Sequence, residues 1–152
     1  MKKILLIIGC GDIALRTAPL LKKHYRILGL YRNADRADLL RANDITPIYG
    51  NLDCPRSLQE LGGIAHLVVH LAPPPNYGKR DTRTLHLLSA LTKQTKTNPT
   101  ILPQRLIYIS TSGVYGDCQG NFIDETRPIQ PESDRAIRRV FAEWQIRNWG
   151  KR

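Results

Sequence analysis

The stretch that most constrains this chain is Lys2 to Ala14, KKILLIIGCGDIA. Ile4, Leu5, Leu6, Ile7 and Ile8 form an unbroken apolar run with the length of a parallel strand covered on both faces. Gly9, Gly11 and Ala14 follow at GxGxxA spacing. The first glycine permits a tight turn, the second lets backbone approach a phosphate, and a small third residue lets a helix pack against the strand. A strand, a glycine turn and a helix start in this order bring a pyrophosphate onto backbone N–H groups. Gly9, Gly11, Asp12, Ile13 and Ala14 are therefore the candidate cradle.

The same residues carry a rival pattern, because Lys2, Lys3, a short apolar run and Ile7-Ile8-Gly9-Cys10 also have the look of a lipoprotein signal. Only five residues stand between Lys3 and Gly9, short of the roughly 7–15 apolar residues that such signals need. Cys10 is more simply a small residue of the loop. No apolar run approaches the ~18–20 residues that would span a membrane, so a soluble protein is expected. Cys10, Cys54 and Cys118 are odd in number and lack CxxC spacing, which indicates neither a disulfide framework nor a metal site and leads to the expectation of a reducing cytoplasm. The 23 basic residues outnumber 13 acidic ones, for a formal charge of +10, a balance that attracts phosphate-bearing ligands or nucleic acid.

Strand and helix patterns alternate along the chain. A helix from Asp12 to Lys23 has Ile13, Leu20 and Leu21 available for its buried side, with a kink or break expected near Pro19. Tyr25 to Tyr31 is a second strand, and its end is informative. An NAD site usually places an acid there for the ribose 2′-hydroxyl, whereas basic residues accept the 2′-phosphate of NADP. This strand ends in Tyr31-Arg32-Asn33, with Arg36 a turn further on, which favours NADP over NAD. Solvated arginines are the plain alternative.

Ala34 to Ala42 reads as a short helix and Thr46 to Tyr49 as a third strand leading into Gly50-Asn51-Leu52-Asp53. Asn51 or Asp53 has two readings: a hydrogen bond to an adenine edge, or a cap on the helix near Pro55. Ala65 to Leu71 is a fourth strand. Its His66 and His70 share a face about 13 Å apart, too far for one metal ion, and both are read as structural. Ala72-Pro73-Pro74-Pro75 ends it. Asp81 to Thr92 is a helix with Leu85, Leu88 and Leu91 at three-residue steps, and Lys93 to Gln104, with Pro99 and Pro103, reads as a flexible loop. Arg105 to Ser110 is a fifth strand, followed by Thr111-Ser112-Gly113-Val114-Tyr115-Gly116. Hydroxyls at the C-terminal end of a parallel strand are where an open α/β sheet places ligand chemistry; an ordinary Ser/Thr turn is the competing reading. Glu132 to Trp149 is a final helix with Ile137, Val140, Phe141 and Trp144 on one side, and its arginine-rich run reads as a solvated face. Alternating strands and helices point to a parallel sheet covered on both faces.

Several of these segments together resemble the extended short-chain dehydrogenases/reductases that include the NAD-dependent epimerases and dehydratases. The resemblance rests on the glycine turn, Gly50-Asn51-Leu52-Asp53, His70-Leu71-Ala72, and most specifically Tyr108 to Asp117 (YISTSGVYGD), with Asp124-Glu125 before Pro128 and Ala142-Glu143 on the last helix. It implies a Rossmann-type doubly wound sheet of about five strands in order 3-2-1-4-5, a single NAD(P)-binding domain over residues 1–152. It implies cofactor contacts from Tyr31, Arg32, Asn51, Leu52, Leu71, Ala72 and Pro73 besides the glycine turn. By it Thr111, with Ser112, is the hydroxyl that holds the substrate's reacting oxygen.

Two departures qualify what the resemblance implies. Counting back from Glu143, the family's catalytic Tyr and the Lys four residues later fall on Arg135 and Arg139. The Tyr serves as general acid or base, and a guanidinium, which keeps its proton across the accessible pH range, is a poor substitute. The second is length: members of the extended family continue into a substrate-binding region, whereas this sequence stops at Trp149-Gly150-Lys151-Arg152, which is expected either of a fragment or truncated gene product or of a stand-alone dinucleotide-binding half. A sheet cut short there leaves an edge and a helix face uncovered, so a homo-oligomer is expected, through Asp81 to Thr92 and Glu132 to Trp149. Three functions are compatible: an atypical NADP(H)-dependent reductase or epimerase-like oxidoreductase, a non-catalytic dinucleotide-sensing or regulatory module, and a basic nucleic-acid-binding protein. The last lacks a recognisable motif and aromatics interleaved with its basic residues.

Overall fold

The computed structural model describes residues 2–93 and 102–151. Most of the segment read as a flexible loop, residues 94–101, lies outside the described residues. The chain divides into two compact units, one of residues 1–73 and 86–109, the other of residues 74–85 and 110–152.

The first unit is built on a parallel sheet of β1 (Lys3–Ile8), β2 (Tyr25–Tyr31), β3 (Ile45–Tyr49), β4 (Leu67–His70) and β5 (Arg105–Tyr108). Its order is β3-β2-β1-β4-β5, the Rossmann order expected. The central strand is the apolar run that opens the chain: Ile8 pairs with Leu30 of β2 and His70 of β4. Alternate residues of a strand point to opposite faces, and Leu5, Leu6, Ile7 and Ile8 are all buried, so both faces of β1 are covered. Pro47 lies in β3, an edge strand, where a missing N–H is tolerated.

Helices α1 (Asp12–Leu21) and α2 (Arg36–Ala42) belong to this unit. On one face of the sheet Leu5, Ile7, Ile27 and Ile45 pack with Ala14 and Ala18 of α1 and Leu40 of α2. This corrects the expected face of α1. Ile13 and Leu20 are exposed and Leu21 only half-buried, while Ala14 and Ala18, four apart, are the buried positions. Small residues let the helix lie close to the sheet, which is what the third position of the glycine pattern is for. Pro19 is accommodated two residues before the end of α1.

A 3-10 turn at Pro55–Leu61 follows β3, with Leu58 and Leu61 buried. Helix α3 (Thr82–Thr92) buries Thr84, Leu87, Leu88 and Leu91, whereas Leu85 is exposed. The stripe is thus i, i+3, i+4, i+7 starting from a threonine; of the three leucines expected on it, Leu88 and Leu91 are buried and Leu85 is not. The end of the 3-10 turn meets α3 closely: a Cβ on Gly62 would lie 2.7 Å from the Lys93 carbonyl oxygen.

The second unit holds a 3-10 turn at Ser112–Tyr115 and helix α4 (Asp134–Trp149), capped by Ser133, whose Oγ accepts from the Ala136 N–H at 3.2 Å. Here too the expected face is corrected. Trp144 is exposed, and Ala136, Arg138, Arg139, Ala142 and Gln145 are buried, so two of the arginines read as solvated are not. Among the described residues no helix is long and apolar enough to cross a membrane.

Candidate functional site

The glycine turn lies at the C-terminal end of β1, beside the end of β4. Gly9 has φ +91°, and a Cβ there would lie 2.5 Å from the Ala72 nitrogen and 2.9 Å from the Leu71 carbonyl carbon. The turn closes with Gly11 N–H donating to the Gly9 carbonyl at 2.9 Å, while Leu71 N–H donates to the Ile8 carbonyl at 2.7 Å. Gly9 is therefore a packing glycine: only a residue without a side chain lets β1 turn against the backbone of Leu71-Ala72.

Gly11 is different in kind. It is extended (φ −91°), and a Cβ there would meet nothing within 4 Å. It caps α1 without a side-chain bond, and the first helical bond runs from Leu15 N–H to the Gly11 carbonyl. The N–H groups of Asp12, Ile13 and Ala14 consequently have no intrahelical acceptor. Open space in front of Gly11 and free donors at a helix N-terminus are what a pyrophosphate requires. Asp12 is the one acid there, and its charge is offset by Arg16, Nε to Oδ2 2.9 Å.

Cys10, between the two glycines, is turned into the protein. Its Sγ lies where a Cβ on Gly29 would be, 2.8 Å from that position, so glycine in β2 makes room for the sulfur. Burial pushes its thiol up to about 12, opposed more weakly by the nearby positive charge of Arg36. The thiol is neutral at physiological pH, and Arg36 stands within electrostatic reach of the glycine turn.

At the ends of β2 and β3, Tyr31 and Tyr49 meet edge to face with ring centres 5.8 Å apart, and Gly50 N–H donates to the Tyr31 carbonyl at 2.8 Å. Arg32 and Arg36 are exposed beside them. Asn51 uses its Oδ1 to accept from Asp53 N–H at 2.9 Å, while its own N–H donates to Ser57 Oγ at 2.8 Å. The 3-10 turn that follows has no side-chain cap, so Asn51 shapes its own loop instead of capping the next element. Leu52 is buried, and its carbonyl is bonded by His86 Nδ1 at 2.7 Å. Ala72 is buried and Pro73 exposed. The first unit thus gathers Gly9 to Ala14, Tyr31, Arg32, Asn51, Leu52 and Leu71 to Pro73 at the C-terminal ends of β1 to β4. The Tyr31–Tyr49 pair was missed in the sequence; two tyrosines closing strands adjacent in a 3-2-1 order were the available signal.

His66 Nδ1 accepts from Ile4 N–H at 3.1 Å, tying β4 to β1, and His70 is buried against Tyr108 with ring centres 5.1 Å apart. Among the described residues no group of three or more His, Cys, Asp or Glu side chains is placed to hold a metal ion.

In the second unit Thr111 begins the 3-10 turn, its Oγ1 accepting from Gly113 N–H at 3.3 Å, and Ser112 is exposed. Ser110 Oγ donates to Glu143 Oε1 at 2.5 Å, and Glu143 in turn meets Arg147 at 3.5 Å. That bond fixes the start of the hydroxyl-rich turn to α4 and explains why a glutamate stands there. Of the two arginines at the expected Tyr and Lys positions, Arg135 is exposed and Arg139 buried.

The sheet order and the turn at its first strand define a Rossmann-type nucleotide-binding fold. The chain belongs to the NAD dependent epimerase/dehydratase family, whose pattern it matches over residues 14–152. That match begins at Ala14, so the reading of Gly9 and Gly11 stands on the geometry above. A search of curated proteins finds no match. Among solved structures the chain is similar to a protein of Burkholderia cenocepacia provisionally described as an epimerase (TM-score 0.77, 22% identity, 99% of this chain and 51% of that one). It is also similar to a functionally unknown conserved protein of Silicibacter pomeroyi (0.72, 27%, 97% and 50%). A third is the UDP-glucuronic acid 4-epimerase of Bacillus cereus, solved in complex with NAD (0.70, 21%, 97% and 52%). The chain spans about half the length of each of these proteins.

Proposed function

We propose that the chain is a dinucleotide-binding, epimerase-like protein that takes NADP(H) in preference to NAD(H). The observation that carries this is the contrast between the two glycines: Gly9 is closed by backbone, Gly11 opens on space before free helix N–H groups. In this reading the N–H groups of Gly11, Asp12, Ile13 and Ala14 hold the pyrophosphate. Asn51 and Leu52 border the adenine, with Tyr31 at the ribose. Arg32 and Arg36 receive the 2′-phosphate as charge-assisted donors, and Leu71, Ala72 and Pro73 border the nicotinamide half. Bound there, the cofactor supplies hydride chemistry. Thr111 and Ser112 hold the reacting oxygen of a carbonyl or alcohol substrate by donating hydrogen bonds to it.

A second reading, a non-catalytic dinucleotide-sensing module, is favoured by one observation. At the positions of the family's Tyr and Lys this chain has one exposed and one buried arginine, and neither offers a proton readily. Calorimetric titration with NADPH and NADH tests the binding claim. Tighter binding of NADPH supports it, and Arg32→Ala then weakens NADPH selectively. Turnover of carbonyl substrates by the loaded protein separates the oxidoreductase from the module. Absence of binding by either cofactor refutes both. Cytoplasmic location and self-association through α3 and α4 are part of the proposal, the latter tested by sedimentation at micromolar concentration, where a monomer counts against it.

A further inference from the structure

Helix α4 buries a cation where a helix ordinarily buries carbon. Arg138 is 7% exposed, and a guanidinium that cannot shed its charge is strongly disfavoured out of water unless an opposite charge or a full set of acceptors meets it. Among the described residues it makes no ion pair. Its one hydrogen bond runs from an Nη to the carbonyl of Gly78 at 2.5 Å, and its Nε is buried without a partner. Gln145, seven residues further along the same face, is also buried, and its Oε1 has no partner. Five acids of this unit are engaged elsewhere: Asp81 on Thr84, Asp117 on the Gln119 N–H, Asp124 on Thr126, Glu132 on the Asp117 N–H and Glu143 on Ser110; Glu125 and Asp134 are exposed, and neither forms an ion pair with Arg138 among the described residues.

The peptide that supplies the single acceptor is exposed. Residues 76–80 all face solvent, and Gly78 has φ +70° with nothing within 4 Å of where its Cβ would be. This segment brings two more cations, Lys79 and Arg80. The Arg80 guanidinium lies 5.9 Å from the ring centre of Phe141, one helical turn along α4 from Arg138. A buried donor fork met only by a neutral carbonyl, under an exposed strap carrying two positive charges, suits a multiply charged oxyanion.

We propose that Arg138, Arg80 and Lys79 form a site for a phosphate group. The incoming anion displaces the Gly78 carbonyl, accepts from the Arg138 guanidinium including Nε, and is covered by Arg80 and Lys79 on the strap. The site is made wholly of residues of the second unit, so it does not rest on the dinucleotide reading.

The test is thermal unfolding and calorimetry of the full chain with inorganic phosphate at constant ionic strength in chloride. Phosphate raises the unfolding temperature of the natural chain, and Arg138→Met abolishes that rise. Without phosphate Arg138→Met unfolds no lower than the natural chain, because an uncompensated buried charge has been replaced by an apolar chain of similar length. Arg80→Ala, an exposed change, leaves stability without phosphate unaltered and weakens phosphate by about tenfold or more; it decides the matter if Arg138→Met does not fold. Equal phosphate responses in the natural chain and in Arg80→Ala overturn the site, as does an undiminished response in a folded Arg138→Met. Glucose 1-phosphate in parallel identifies the source: tighter binding than inorganic phosphate assigns a phosphate ester, and equal binding assigns the free anion.

Discussion

Replacing each glycine of the first turn by alanine separates packing from binding. At Gly9 the new Cβ would sit 2.5 Å from the Ala72 nitrogen and 2.8 Å from its Cα, both backbone atoms that no side-chain rotation can move. The positive φ adds about 1–2 kcal/mol for a residue with a side chain, and forced overpacking adds about 1–3 kcal/mol. Gly9→Ala is therefore expected to cost about 2–5 kcal/mol of a total that is typically about 5–15. At about 2–4 °C per kcal/mol for a chain of this size, the midpoint of thermal unfolding falls by roughly 4–20 °C. Gly11→Ala has neither problem, since the residue is extended and its Cβ direction is empty, and its stability change stays within about 0.5 kcal/mol. On the proposed function its cost appears in binding, because the methyl group would project where the pyrophosphate is proposed to approach, and NADPH affinity falls by about tenfold or more. Circular dichroism melts paired with NADPH calorimetry on both variants decide the point. A Gly9→Ala protein that melts like the natural chain, or a Gly11→Ala protein that binds NADPH undiminished, would refute the reasoning.

Five further outcomes follow from the packing and charge already described. Cys10 resists alkylation by maleimide at pH 8 while exposed Cys54 reacts, read by mass spectrometry, since its thiol is held at about 12. The unfolded thiol releases its proton near 9.0 and the folded one does not, so between these values the unfolded state binds fewer protons and stability declines as pH rises. A Cys10→Ala variant loses that part of the alkaline slope in denaturant titrations. Leu91→Ala costs about 2–5 kcal/mol, whereas Leu85→Ala, 53% exposed in the same helix, stays within about 0.5; urea midpoints distinguish them. Ser133→Ala removes the cap of α4 and costs about 1 kcal/mol, visible as a lowered melting temperature. Arg32→Ala weakens NADPH and leaves NADH unchanged in calorimetry, and equal weakening of both would refute the 2′-phosphate role.

The order of elements was legible in the sequence because the strands are short apolar runs, all but β2 ended by a glycine, proline or hydroxyl-rich turn, and the sheet order followed from the resemblance those turns carry. Helix faces were less legible. In α1 bulky Ile13 and Leu20 drew the reading, but a helix pressed onto a sheet is best served by Ala14 and Ala18. In α3 the stripe opens on Thr84, whose hydroxyl is satisfied by Asp81 at 2.8 Å; a polar residue that gains its partner locally is invisible to a hydrophobic pattern. Arg138 and Arg139 escaped for the opposite reason, since no pattern of charges along a helix says which arginine its neighbours will cover. The Tyr31–Tyr49 pair depends on which strands become neighbours, information held in the topology and not in either strand.

The central claim is that the turn at Gly9 to Ala14 holds a dinucleotide's pyrophosphate on backbone N–H groups. Amide chemical shifts of the isotopically labelled chain, followed by NMR during NADPH addition, test it most directly. The account predicts the largest, saturable shifts at the N–H groups of Gly11, Asp12, Ile13 and Ala14, with Arg32 and Asn51 responding to the adenosine half. Saturable binding that leaves these four amides unmoved, or no binding at all, would contradict it.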